Sequence, residues 1–68
     1  MNYFIVFIKE DGFEWCILET TDDLYATRVF EDLSTPPGYN MELRQTEEDV
    51  DTHLNYEVLR YDHSQFEM

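Results

Sequence analysis

The chain is 68 residues long and carries 16 acidic against 4 basic residues, a formal net charge of −12. Such a charge argues against direct contact with DNA, RNA or an anionic membrane, and favours basic partners. The length fits one acidic domain, residues 1–68, near the lower limit for folding on a hydrophobic core alone, and with Cys16 as the sole cysteine no internal disulfide can form.

A lone thiol predicts a reducing, cytoplasmic setting. The apolar opening run is too short to span a membrane, and no basic leader precedes Glu10 and Asp11. High net charge at low hydrophobicity would mean disorder. Here 43% hydrophobic and 16% aromatic residues supply a core.

Residues 2–9 (NYFIVFIK) are β-branched and aromatic and read as a strand. Asp11-Gly12 signals a hairpin turn, and residues 13–19 (FEWCILE) return as a second strand. Both runs are apolar on both faces. Tyr3, Ile5 and Phe7 oppose Phe4, Val6 and Ile8, and Phe13, Trp15 and Ile17 oppose Cys16 and Leu18.

Thr20-Thr21-Asp22-Asp23 is a helix start, with oxygens to take up orphan amides and acids suited to the positive end of the dipole. Ala26, Val29, Phe30 and Leu33 then form one apolar stripe, with Arg28, Glu31 and Asp32 away from it. Ser34 to Gly38 (STPPG) ends the helix. Tyr39, Met41 and Leu43 next alternate with Asn40, Glu42 and Arg44, the pattern of a half-buried strand. Residues 47–53 (EEDVDTH) form an acidic connection, and residues 54–61 (LNYEVLRY) read as the last strand. In that strand Leu54, Tyr56 and Val58 oppose Leu59 and Tyr61, and residues 63–68 form a loose tail.

The order is ββαββ, an α+β domain with a four-stranded antiparallel sheet and one helix packed on one face. With the first strand central beside the third, the strand order is 2-1-3-4. One helix covers one face only, so the first two strands predict an uncovered apolar row. That row would serve a homodimer or a foreign partner, with Tyr3, Phe13 and Trp15 as apolar contacts. The competing reading folds the tail, with Phe66 and Met68, over the row.

Catalysis is not expected. Cys16 lies mid-strand, where a thiol is usually a small buried hydrophobe, and nothing anchors His53 or His63 beside it. Carboxylate pairs sit in turns or on the solvated helix face rather than in an apolar cleft. The 47–53 connection lacks the glycine and closing glutamate of an EF-hand loop and has no zinc spacing. There is no glycine-rich phosphate loop, so neither metal nor cofactor is expected.

The acids are themselves the stronger functional candidates. Glu10, Asp11 and Glu14 surround the hairpin tip, and Glu19, Asp22 and Asp23 the helix start. Glu31 and Asp32 lie on the helix surface, and Glu47, Glu48, Asp49 and Asp51 in the connection. Fixed carboxylates can imitate phosphates and steer the chain into a lysine- and arginine-lined groove. The bland alternative is solubility, which explains a charge of a few units more easily than −12.

In size, charge and non-catalytic design the chain resembles the small acidic inhibitors made by bacteriophages and mobile elements. These are the anti-CRISPR proteins, anti-restriction DNA mimics and uracil-DNA glycosylase inhibitors. Glu14, Glu19, Asp22 and Asp23 beside the strand at 13–18 match the last group's pairing of an acidic strand edge with an apolar contact. The resemblance is one of composition; it implies a basic nucleic-acid-processing protein as partner and, for a phage product, the host cytoplasm as location. It assigns no residue a role.

Overall fold

In a computed structural model the chain is described over residues 1–50 and 55–63. The elements are β1 (Asn2–Lys9), β2 (Glu14–Thr20), α1 (Asp23–Asp32), β3 (Tyr39–Thr46) and β4 (Glu57–Asp62). They form a small α+β domain whose four strands lie in one antiparallel sheet of order β2-β1-β3-β4, as expected. The last strand begins later than the expected Leu54, which lies outside the described residues together with Asp51, Thr52, His53 and the tail at 64–68.

The β1–β2 hairpin closes through a three-residue loop. The Gly12 amide donates to the Lys9 carbonyl and the Lys9 amide to the Phe13 carbonyl, both at 2.9 Å. Gly12 sits at φ 94°, a conformation that costs glycine nothing. Asp11 Oδ1 accepts the Phe13 amide at 3.0 Å and pins the turn. At the start of α1, Asp22 is the N-cap and accepts the amides of Leu24 and Tyr25.

α1 packs on the face carrying Tyr3, Ile5 and Phe7. Ile5, Phe7, Ala26, Met41 and Leu43 are buried there, with Val29, Phe30 and Leu33 of the expected stripe against them. β2 carries a bulge, because Ile5 pairs with Leu18 but Val6 with Cys16, leaving Ile17 as the extra residue. Strict alternation set Leu18 against Trp15 and Ile17. The bulge instead places Ile17 and Leu18 together against the helix-side core. β4 has a matching bulge at Leu59, so Val58 and Tyr61 share a face rather than opposing each other.

The expected uncovered row does not run across β1 on either face. Phe4 and Val6 on the face away from α1 are fully buried and packed with Val50 from the connection after β3. The clean alternation of β3 was also misleading, because Asn40, Arg44 and Thr46 on this second face are buried too. A long polar side chain can form part of a core when its charge is met, and Arg44 is such a case.

Arg44 is 2% exposed. Its Nη atoms donate to both carboxylate oxygens of Glu14 on β2, at 2.9 and 2.7 Å, and its Nε donates to Glu42. Its guanidinium lies 4.3 Å from the Tyr56 ring centroid and 5.9 Å from that of Phe4. Burial by itself would lower the pKa of Arg44, but the hydrogen bonds and charges of Glu14 and Glu42 outweigh it and raise the pKa. The residue therefore stays cationic wherever the fold survives.

Removing that cation leaves two carboxylates facing each other over the second core. Arg44→Ala is expected to cost about 3–5 kcal/mol, most or all of the stability of so small a domain. Urea unfolding should show no cooperative native baseline for this variant; a midpoint near wild type would refute the role given to Arg44. Asp22→Ala should cost about 1 kcal/mol through loss of the cap, measured as a lower midpoint with unchanged slope.

Candidate functional site

Charge is distributed unevenly over this scaffold. At one end of the sheet β1 and β4 begin while β2 and β3 finish, with Tyr3 level with Thr20 and Gln45, and Gln45 level with Glu57. Glu19, Asp22, Asp23, Glu47, Glu48 and Asp49 of the expected set, with Glu57 added, all gather at that end. No lysine or arginine occurs in residues 19–27 or 45–50, and Arg28 of α1 lines a hollow with Asp22. A shallow hollow of about 310 Å³ opens there between Met1, Gln45, Glu47, Tyr56 and Glu57. It has room for a cationic side chain and no enclosed cleft for a substrate.

The other predicted acids do not join this group. Glu10 and Asp11 lie at the hairpin tip, across the length of the sheet, and Asp11 is engaged with the Phe13 amide. Glu14 is committed to Arg44. Glu31 meets Arg60 of β4 at 3.2 Å, an exposed pair. Asp32 closes α1 at the opposite end from the cap, and Asp51 lies outside the described residues. The acids thus form one concentrated end and several scattered charges.

Of the apolar candidates, Tyr3 is half-buried against the helix-side core and offers little surface. Phe13 and Trp15 remain 58% and 54% exposed. Trp15 pairs with Phe7 and so stands on the helix side of β2, its ring edge-on to Phe7 with centroids 6.2 Å apart. Two residues escaped the sequence reading: Leu24 and Tyr25 of α1 are 63% and 51% exposed. Both fall off the apolar stripe at about 100° per residue, a large ring and a large aliphatic chain on the wrong face, and that was the available signal. The Glu31–Arg60 pair turns one flank of α1 toward β4, which leaves Tyr25, Arg28 and Asp32 on the flank away from β4, and Arg28 lines a hollow with Tyr25.

Cys16 is exposed rather than buried, with its thiol 3.6 Å from the Leu18 carbonyl. The His63 ring stands edge-on to Tyr61 at 4.3 Å, and His53 lies outside the described residues. Among the described residues no three His, Cys, Asp or Glu side chains converge as metal ligands. No helix among them is long and apolar enough to cross a membrane. No protein-family profile, curated protein sequence or solved structure matches the chain.

Concentrating like charges at one end stores repulsion that salt relieves. Thermal unfolding at neutral pH should therefore shift to higher temperature as sodium chloride is raised from low to physiological strength. A midpoint that falls or stays constant would mean that the acids are far enough apart to ignore one another.

Proposed function

We propose that this chain is a non-enzymatic, protein-binding inhibitor that imitates nucleic acid and occupies the basic groove of a DNA- or RNA-processing protein. The observation that carries the reading is the acidic end: Glu19, Asp22, Asp23, Glu47, Glu48 and Glu57 held on strand ends and a helix cap, and outnumbering Arg28, which lines a hollow with Asp22. Solubility needs charge anywhere on the surface. A groove built for phosphates is better met by carboxylates fixed on one rigid end, where they also speed encounter. Exposed Phe13 and Trp15 add desolvated contact area, the component that carries most affinity in interfaces.

The homodimer alternative drew its support from an open sheet face. With Phe4 and Val6 packed under Val50, β1 offers no open apolar row on the face away from α1.

The test is capture of basic proteins on the immobilised chain from a nucleic-acid-rich lysate, followed by competition. Bound proteins should be nucleic-acid binders, should elute as salt rises, and should be displaced by duplex DNA or by RNA. A chain carrying Glu19→Gln, Asp23→Asn, Glu47→Gln and Glu48→Gln should capture them at least tenfold less well, since each removed charge contact is worth a few tenths of a kcal/mol to about 1 kcal/mol. Capture that tolerates saturating nucleic acid and high salt would sink the proposal.

A further inference from the structure

β4 is held to the domain differently from the other strands. The buried side chains of both hydrophobic clusters come from β1, α1, β3 and Val50, and none from β4. Its own apolar residues, Val58, Leu59 and Tyr61, remain exposed. α1 packs on β1, β2 and β3, and meets β4 through the exposed Arg60–Glu31 pair. The bulge at Leu59 also interrupts the ladder to β3, between Leu43 and Arg44.

The two ends of β4 are tied unequally. Just before the strand, the Tyr56 ring lies 4.3 Å from the Arg44 guanidinium and edge-on to Phe4, and the Asn55 carbonyl accepts from the Thr46 hydroxyl. That end is fixed to the second core. At the other end the ties are two hydrogen bonds between side chains. The Thr35 hydroxyl donates to the Asp62 carboxylate, and Asn40 Nδ2 donates to the Tyr61 hydroxyl at 3.0 Å. Asn40 is buried, and its Oδ1 has no partner among the described residues. The closed arrangement therefore leaves one polar atom unmet.

We propose that β4 is a strap that lifts from β3 as one unit, hinged at Asn55–Tyr56 and latched by the Thr35–Asp62 bond, while β1, β2, α1 and β3 stay folded. Shared burial is what makes elements unfold together. A strand that adds no buried side chain can leave without dismantling either core. Lifting Tyr61 lets water reach Asn40 Oδ1, which offsets part of the lost ladder. It also bares the β3 edge from Met41 to Gln45, whose backbone groups toward β4 then lack partners. The latch sets how often the lifted form occurs, whether or not the chain imitates nucleic acid.

Native-state hydrogen exchange of the full chain, followed by NMR at low urea, tests this. The β4 amides bonded to β3 should share one opening free energy, below that of Val6 and Phe7 and with a shallower urea dependence. Asp22→Ala weakens a helix that is folded in both the closed and the lifted form. It should speed exchange of the β1 amides roughly fivefold and leave the β4 amides unchanged. Thr35→Val weakens the closed form alone, from which lifting and global unfolding both start. It should speed both sets of amides by one common factor, roughly fivefold.

β4 amides that match Val6 and Phe7 in free energy and urea slope overturn the proposal. So does an Asp22→Ala variant that speeds β4 as much as β1. Exchange that varies from amide to amide along β4 without urea dependence overturns it too, because that is fraying and not a unit. A silent Thr35→Val removes the latch.

Discussion

Arg44 is the constraint around which the second core is arranged. The face of the sheet away from α1 carries Phe4, Val6 and Ile8, and one guanidinium lies against them, tying β3 to β2 across β1 through Glu14. Tyr56 and Phe4 contact the cation with their rings, and Glu42 meets it along its own strand. With a net charge of −12, the chain has few cations to spend on its interior. Placing one of them here lets two carboxylates sit beside an apolar core, and lets Val50 close over Phe4 and Val6. A buried ion group of this kind is a poor source of net stability, but it specifies one arrangement, because any other leaves a charge unmet.

Of the other three basic side chains, Lys9 lies over the Tyr39 ring, Arg60 reaches Glu31, and Arg28 lines a hollow with Asp22 near the start of α1. At the acidic end the carboxylates outnumber the cations. Such an end would be destabilising if the strands and the cap did not hold it.

Much of the fold was legible in the residues. The 3.6-residue stripe from Ala26 to Leu33, the Asp22 cap, the Asp11-Gly12 turn and the alternating strands each follow from local chemistry that does not depend on distant parts of the chain. Strand order was readable only on the condition that the first strand sits centrally beside the third, which is where the sheet has it. Less of the candidate site was legible. Exposed Phe13 and Trp15 were found, whereas Tyr3 proved to be packing material and Tyr25 was missed. Glu14 read as a surface acid, and nothing near it in sequence pointed to Arg44, 30 positions away.

The amino-acid sequence by itself determined the element order, the sheet's antiparallel sense, the helix face and the overall sign of the electrostatic field, since these depend on periodicity, capping and composition within short windows. Only the tertiary structure decided that Phe4 and Val6 on the second sheet face are covered, that Arg44 is interior, and which acids share an end. Those outcomes depend on two bulges, at Ile17 and Leu59, and on which distant side chains meet across strands. A bulge shifts every residue beyond it to the other face, and no local pattern announces where the extra residue will fall.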